Sequence, residues 1–363
     1  MEKIKTLGIL TGGGDCPGMN AVIRAAAKTA INDYDLKVIG IKDGYEGLMT
    51  KQYQELSLKD ASGILTLGGT ILGTSNCANP FAYPAEEAEK TVYRDCSGEA
   101  VNNLKDLGIE ALICIGGDGT LSSARDFSHR GVKIVGVPKT IDNDLSGTDV
   151  TFGFNSAVST ATEAIDKIHT TAISHHRVMV IEVMGRYAGW LALASGLAGG
   201  GDIILIPEIP YQIKKICQAV LKREKQGKRF SIVVVAEGAH PQGGKPVIKR
   251  IIKNSPDEIR LGGVGNKVAA EIEEQTGIAA RVTVLGHLLR GGTPTAFDRI
   301  LATRFGSEAV HLVMKGKFGR MVSLKGENIV SVPLEEAVGK LRTVPLDSPL
   351  LKVAGSLGVC MGD

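Results

Sequence analysis

The chain has 363 residues, of which 43% are hydrophobic and 22% charged, and it carries a net charge of +3. These are the values of a globular protein with room for two domains, and they exclude a disordered or fibrous chain. So small a positive charge, without a long basic run, argues against nucleic acid and membranes as partners, and no apolar stretch is long enough to span a bilayer.

Short apolar runs that favour β-strands alternate along the chain with patterns that favour α-helices. The predicted strands are Thr6–Leu10, Lys37–Ile41, Ala111–Ile115, Lys133–Val137, Val178–Val183, Ile203–Ile206, Ile232–Ala236 and Arg281–Leu285. The predicted helices are Met19–Asn32, Glu99–Leu107, Thr120–His129, Asn155–Thr171, Gly189–Leu197, Ile213–Gln226, Val264–Thr276 and Phe297–Lys315. Continuously apolar strands are buried on both faces, so the sequence predicts an α/β fold with mostly parallel sheets.

Two further features concern the organisation and the environment of the chain. The polar stretch Ala239–Arg260 is predicted to be a surface insertion. The six cysteines form neither a CxxC pair nor a His/Cys cluster with zinc spacing. They therefore indicate reduced thiols in a cytoplasmic protein.

Glycines, 46 in all, cluster where the predicted strands end. The first cluster, Thr11–Asn20 (TGGGDCPGMN), includes Gly13 and Gly14 and opens a helix. A glycine-rich turn in that place points backbone N–H groups and the helix dipole at an anion. A glycine turn that serves only packing is the alternative.

A second glycine turn, Ile115–Thr120 (IGGDGT), carries an acid, Asp118. A carboxylate beside phosphates is useful when Mg²⁺ bridges them, so the turn indicates a phosphoryl donor. The alternative is that Asp118 only caps the following helix.

Two carboxylates, Asp142 and Asp144, lie two residues apart in Pro138–Asp144 (PKTIDND). On an extended turn they project the same way. One carboxylate can accept a hydroxyl proton while the other positions that carboxylate or holds a metal ion. Phosphoryl transfer requires little more. An Asx-rich turn is the alternative.

Basic residues follow several predicted strands. Arg186 comes after a glycine in Glu182–Gly189 (EVMGRYAG), where a guanidinium can reach a transferring phosphoryl group or simply form a salt bridge. The others suit a phosphorylated sugar, with Glu237 available for its hydroxyls; they are Arg177, Arg281, His287 and Arg290.

These five segments, in their order and spacing from near Gly8 to about Leu312, resemble the phosphofructokinase family of bacterial type, in the subgroup with ATP- and pyrophosphate-dependent members. The resemblance implies two similar α/β sandwich domains with the active site in the cleft between them. The donor-binding domain would comprise residues 1–150 plus part of the C-terminal region, and the fructose 6-phosphate-binding domain residues 151–320.

The resemblance also implies a glycolytic 6-phosphofructokinase that transfers the γ-phosphoryl group of ATP to the 1-hydroxyl of fructose 6-phosphate, with Asp142 as base. Asp118, with Asp144 nearby, would organise Mg²⁺. The other residues implied to assist the transfer are Thr140, Asp144, Arg186 and Gly14. Those implied to bind the donor are Gly13, Gly14, Tyr45, Gly117, Asp118, Gly119, Thr120 and Lys139. Those implied to bind the sugar are Thr140, Asp142, Arg177, Met184, Gly185, Arg186, Glu237, Arg281, His287 and Arg290.

The quaternary structure and regulation are implied in the same way. Arg177 and Arg281 match residues that reach into a neighbouring subunit's site, which implies a homotetramer with shared active sites. Arg24 and Lys28 match basic positions of an effector pocket, which implies an anionic small-molecule effector.

The sequence departs from the family in ways that bear on the donor. Asn76 stands where the family usually has an arginine near the bridge between donor and sugar, and it cannot supply that charge. Gly119 leaves room for a nucleotide α-phosphate, whereas Lys139 suits either donor, so ATP is favoured over pyrophosphate. A pyrophosphate-dependent phosphotransferase is the alternative, and a non-catalytic sugar-phosphate-binding subunit is the alternative of another class.

Overall fold

A computed structural model describes residues 4–75, 78–87, 90–251 and 259–363 of the chain. Asn76 lies outside these residues. Among them, no helix has the length and hydrophobicity that crossing a bilayer requires.

The described residues form sixteen β-strands. They are β1 (Thr6–Thr11), β2 (Lys37–Ile41), β3 (Tyr53–Glu55), β4 (Tyr83–Glu87), β5 (Lys90–Arg94), β6 (Ala111–Gly116), β7 (Ile134–Thr140), β8 (Phe152–Gly153), β9 (Val178–Val183), β10 (Ile203–Leu205), β11 (Ser231–Ala236), β12 (Ile248–Ile251), β13 (Ile259–Leu261), β14 (Ala280–Val284), β15 (Arg320–Lys325) and β16 (Asn328–Pro333).

The same residues form eleven α-helices. They are α1 (Met19–Tyr34), α2 (Tyr45–Met49), α3 (Ser97–Asp106), α4 (Asp118–His129), α5 (Phe154–His175), α6 (Trp190–Ala198), α7 (Ile213–Lys225), α8 (Val264–Thr276), α9 (Ala296–Met314), α10 (Leu334–Ala337) and α11 (Pro349–Ser356).

The larger sheet has eight strands in the order β16-β15-β7-β6-β1-β2-β3, with β8 paired to the end of β7. Its strands are parallel except at its two edges, where the β2–β3 and β15–β16 pairs are antiparallel. Neighbouring residues of one strand point to opposite faces, so Ile9 packs with α1 and α9 while Leu10 packs with α4. Helices therefore cover both faces, as the apolar strands require.

The smaller sheet contains four strands, all parallel, in the order β10-β11-β9-β14. It is covered by α5 and α6 on one face and by α7 and α8 on the other. The hydrophobic cluster that includes Ile9 of the larger sheet also includes Ile181 and Val234 of the smaller one. The core thus runs from one sheet to the other.

The predicted α/β fold is confirmed, and every predicted strand and helix is present. The bounds are as predicted for β2, β9 and α8, and the ends of the others are shifted. Two shifts concern motif residues: α4 begins at Asp118 rather than Thr120, and β7 continues to Thr140 because β8 pairs with its last two residues. Most described residues of the stretch Ala239–Arg260 lie at the surface as predicted, although Ala239 is buried. The stretch also contains the exposed strand β12, which pairs antiparallel with β13.

Candidate active site

The two glycine turns lie side by side at one edge of the larger sheet. Strands β1 and β6 are neighbours, but the chain continues from β1 to β2 on one side and from β6 to β7 on the other. The carboxyl ends of strands at such a reversal form a crevice, which is where open α/β sheets bind ligands. The turn after β7 opens at the same edge.

The first glycine turn is tied to the third motif by a lysine. Lys139 is buried, and its Nζ donates a hydrogen bond to the carbonyl of Gly14. Burial lowers the pKa of Lys139. Gly13 lies in the left-handed region at φ 76°, and its N–H donates to the Ser75 carbonyl. The turn is thereby fixed on both sides, with a buried lysine at its centre.

An arginine from the other half of the chain reaches this glycine turn. A Cβ atom on Gly14 would lie only 1.6 Å from Nη1 of Arg290. The Arg290 Nε atom is buried and has no hydrogen-bond partner among the described residues. The absence of a side chain at Gly14 is therefore what admits the guanidinium, and the two implied binding regions meet here.

The second glycine turn presents Asp118 on its surface. Asp118 is exposed at the first position of α4, and its Oδ1 accepts a hydrogen bond from the N–H of Gly339 at 2.7 Å. A Cβ on Gly119 would meet no atom within 4 Å, so this position is open. Tyr45 is buried beneath the turn, where its hydroxyl donates to the carbonyl of Thr120 at 3.0 Å. Its direct contact with a donor stays a prediction.

The turn after β7 buries a carboxylate with a raised pKa. Asp142 is 7% exposed, and its backbone N–H donates to Thr140 Oγ1 at 3.0 Å. Burial raises the pKa of Asp142 to about 7, and the negative charges of Asp144 and Glu237 act in the same direction. Its Oδ1 atom has no hydrogen-bond partner among the described residues. Such a group is suited to accept a proton near neutral pH.

Asp144 and Asp118 form the acidic side of the site. Burial raises the pKa of Asp144, and the negative charge of Asp118 acts in the same direction. Among the described residues, no group of three His, Cys, Asp or Glu side chains could hold a metal ion. Two carboxylates match a hard cation whose other ligands are water and phosphate oxygens.

The turns after β9 and β11 supply Arg186 and Glu237. The N–H of Arg186 donates to Glu237 Oε1 at 3.1 Å, and burial raises the pKa of Glu237. The preceding Gly185 has φ 136°, and a Cβ there would lie 2.7 Å from the carbonyl oxygen of Ala188. Glycine is thus required for this turn, which begins at the partly buried Met184.

The predicted basic residues separate into two groups. His287 and Arg290 lie on a short 3₁₀ helix after β14, at the edge where the other motifs meet. Arg177 precedes β9 and Arg281 lies at the start of β14, so both are at the opposite edge of the smaller sheet. At ~3.3 Å per residue along a strand, that edge lies about 17 Å from the edge where the other motifs meet. Arg281 is exposed and pairs with Glu273 at 3.1 Å. Within one chain, Arg177 and Arg281 therefore do not lie with the other predicted site residues.

Sequence reasoning missed the segment 338–344, which contributes Gly339. The contact with Asp118 joins residues 221 positions apart. The segment contains no glycine-rich turn or paired acids, so no pattern in the sequence marks it.

Comparisons with known proteins match the chain over most of its length. The model of a family described as Phosphofructokinase matches residues 6–313. The chain is 53% identical over 365 residues to a protein of Clostridium perfringens named ATP-dependent 6-phosphofructokinase 2, with 100% of each chain covered. It is 49% identical over 363 residues to the ATP-dependent 6-phosphofructokinase of Chloroflexus aurantiacus, covering 100% of this chain and 99% of that protein.

Solved structures resemble the chain as well. A phosphofructokinase of Pichia pastoris in the T-state has a TM-score of 0.79 and 36% identity over 93% of this chain, which spans only 36% of the yeast chain. A pyrophosphate-dependent phosphofructokinase of Nitrosospira multiformis has a TM-score of 0.81 over 99% of this chain and 93% of that one. At 20% identity, the second likeness concerns the fold alone.

Proposed function

Because the chain belongs to the phosphofructokinase family, we propose that it transfers the γ-phosphoryl group of ATP to the 1-hydroxyl of fructose 6-phosphate. The products are fructose 1,6-bisphosphate and ADP. The observation that carries this proposal is Asp142, whose buried Oδ1 has no hydrogen-bond partner among the described residues. A sugar hydroxyl would give that atom a partner and a proton to accept.

The proposed mechanism assigns the proton to Asp142 and the phosphoryl charge to nearby donors. Asp142 accepts the 1-hydroxyl proton while the oxygen attacks the γ-phosphorus in line with the leaving ADP. Arg186, Thr140 and the Gly14 backbone stabilise the transferred group. Lys139, fixed against the same glycine turn, contributes a buried positive charge near the donor.

Kinases of this family use ATP, and the use of ATP needs a divalent metal ion. We propose that this ion is Mg²⁺. Asp118 would hold it, with Asp144 nearby, and this pair of carboxylates fits a hard cation. When bound, the ion neutralises phosphate charge. The backbone N–H of Gly339 orients the Asp118 carboxylate by occupying Oδ1.

The sugar phosphate is proposed to bind Met184, Gly185, Glu237, His287 and Arg290. Arg177 and Arg281 are proposed to serve a neighbouring subunit in a homotetramer. Their place at the far edge of the smaller sheet supports this, because one chain cannot bring them to its own site.

Four other expectations stay predictions. They are the domain limits 1–150 and 151–320, the cytoplasmic location, the homotetramer and the anionic effector. Arg24 and Lys28, the residues implied in effector binding, are both partly buried on α1.

The function is tested by measuring fructose 1,6-bisphosphate formation from fructose 6-phosphate and Mg²⁺ with ATP, ADP or pyrophosphate as separate donors. We expect turnover with ATP alone. Turnover with pyrophosphate alone would mean that Lys139 outweighs Gly119 in choosing the donor. Turnover with none would contradict the proposal and favour a non-catalytic binding subunit.

The activity should depend on pH through Asp142. Its pKa is about 7, and only the carboxylate accepts a proton, so activity is present above that value and is lost as the pH falls through it. We expect kcat, measured at saturating ATP and sugar phosphate, to fall about tenfold per pH unit below the midpoint. The residual activity of Asp142→Asn is the control and should lack that midpoint. A wild-type profile that is flat between pH 5.5 and 8 would contradict the assignment.

Replacing Gly14 with alanine should displace Arg290. The methyl group would occupy the place of Nη1, whereas Gly14 is outside the left-handed region and its backbone tolerates alanine. We expect the KM for fructose 6-phosphate to rise about tenfold or more, as for loss of one charged hydrogen bond. Steady-state kinetics measure it. Gly98→Ala on α3, where a Cβ meets nothing within 4 Å, is the control. An unchanged KM would show that Arg290 does not bind the sugar phosphate.

A further inference from the structure

The segment 338–344, here called the C-terminal strap, lies across the turn that carries Asp142. It is beyond the residues matched by the family model, which end at 313. Leu341 forms an antiparallel bridge with Leu145, and the Ser146 hydroxyl donates to the carbonyl of Lys340 at 2.9 Å. The strap therefore runs alongside the catalytic turn like a short extra strand.

The strap is bound to the smaller-sheet half as well. The N–H of Val344 donates to Glu208 Oε1 at 2.8 Å, and the same carboxylate accepts the N–H of Gly189 at 2.9 Å. Val344 is buried. Together with the Gly339 contact to Asp118, these bonds fix the two ends of the strap in different halves of the molecule.

Arg342 occupies the middle of the strap and makes the contacts nearest to the catalytic base. Its backbone N–H donates to the carbonyl of Asp144 at 2.8 Å, and its Nη1 donates to the carbonyl of Asn143 at 2.9 Å. These two carbonyls belong to the residues directly after Asp142. Asn143 is buried and lies in the left-handed region at φ 54°, a conformation that surrounding contacts must hold.

The other face of Arg342 is engaged by Trp190. The Arg342 Cζ atom lies 4.3 Å from the Trp190 ring centroid, and the indole N–H donates to the Arg342 carbonyl at 2.9 Å. Trp190 is the first residue of α6 and follows the Arg186 turn. Arg342 thus joins the turn of Asp142 to α6, the helix that begins just after the turn of Arg186.

We propose that Arg342 is a positioning residue for phosphoryl transfer, which fixes the turn of Asp142 relative to the turn of Arg186. The inference rests on the proposed function. The guanidinium donates to a backbone carbonyl and lies over an aromatic ring, so it acts through these groups and touches no substrate. Its effect is geometric, because a small misplacement of a base costs rate while the substrates still bind.

The test compares Arg342→Ala and Arg342→Lys with wild type. The backbone N–H of residue 342 is kept in both, so only the bond to Asn143 and the stacking on Trp190 change. We expect kcat to fall about 30-fold in Arg342→Ala, within the range that small misplacements cost, with both KM values within about twofold. Arg342→Lys, which keeps a donor but loses the planar fork, should recover part of kcat. Thr343→Ala, at an exposed neighbouring position, is the matched control and should resemble wild type.

Two further readouts separate positioning from a general loss of structure. Trp190 is the only tryptophan in the sequence, so its emission should change in Arg342→Ala while thermal unfolding stays close to wild type. The pH midpoint of kcat should stay in place while the plateau falls. A shifted midpoint, a KM rise that matches the loss of kcat, or a normal kcat would overturn the inference.

The same experiment distinguishes the two proposals. Wild-type protein that converts fructose 6-phosphate with ATP, together with an Arg342→Ala variant of normal kcat, contradicts only the role of Arg342. Wild-type protein without turnover contradicts the proposed function and, with it, this inference.

Discussion

Replacing Asp142 with asparagine should lower kcat about 10³-fold and change the KM for fructose 6-phosphate by less than about threefold. The amide has nearly the same size as the carboxylate but cannot accept the hydroxyl proton. Oδ1 has no hydrogen-bond partner among the described residues, so the substitution breaks no hydrogen bond there. Steady-state kinetics with varied sugar phosphate at saturating ATP measure both constants.

The matched control is Asp166→Asn, an exposed aspartate on α5. It should leave both constants unchanged. A normal kcat in Asp142→Asn would remove Asp142 from the role of base. A fall in kcat that is accompanied by a lower thermal stability would instead point to a disturbed turn. The circular dichroism spectrum of the variant is the control for that case.

Replacing Gly119 with aspartate should lower kcat/KM for ATP by at least about 100-fold. A carboxylate at this position would face the α-phosphate proposed to lie beside it, and two like charges about 4 Å apart at a protein surface repel by ~4 kcal/mol. The fold should tolerate the change, because a Cβ at Gly119 meets no atom within 4 Å. ATP and pyrophosphate kinetics, measured in parallel, test it.

Gly119→Asn separates charge from bulk. Asparagine has the shape of aspartate without its charge, so it should lose much less ATP activity. Equal losses in both variants would make the effect steric. Unchanged ATP kinetics in Gly119→Asp would show that the donor does not approach this turn.

The central strands and their motifs could be predicted because their environment leaves a clear pattern. All six residues of β6 are buried, so the run ALICIG is apolar throughout and ends where the glycine turn begins. Parallel strands bring their carboxyl ends to one edge, which is why turns far apart in the sequence meet there. The spacing of Asp142 and Asp144 marked them as a pair, whereas the burial of Asp142 is seen only in the structure.

The remaining features have no local signal. The short strands β3 and β12 are largely exposed, so they lack the apolar run that marks a buried strand. The approach of Arg290 to Gly14 depends on how the two halves pack, and a single arginine does not show which glycine it will reach. The strap likewise acts largely through backbone groups, which every sequence possesses.

The larger sheet combines strands from the early and the late parts of the chain, and this affects how the protein folds during its synthesis. In the sheet, Val135 of β7 pairs with Arg320 of β15, and all four strands of the smaller sheet lie between them in the sequence. During synthesis from the N-terminus, this edge of β7 therefore waits unpaired until nearly the whole chain has been translated. The strand that ends at Thr140 and leads to the catalytic turn is thus among the last parts of the nascent protein to gain its full set of neighbours.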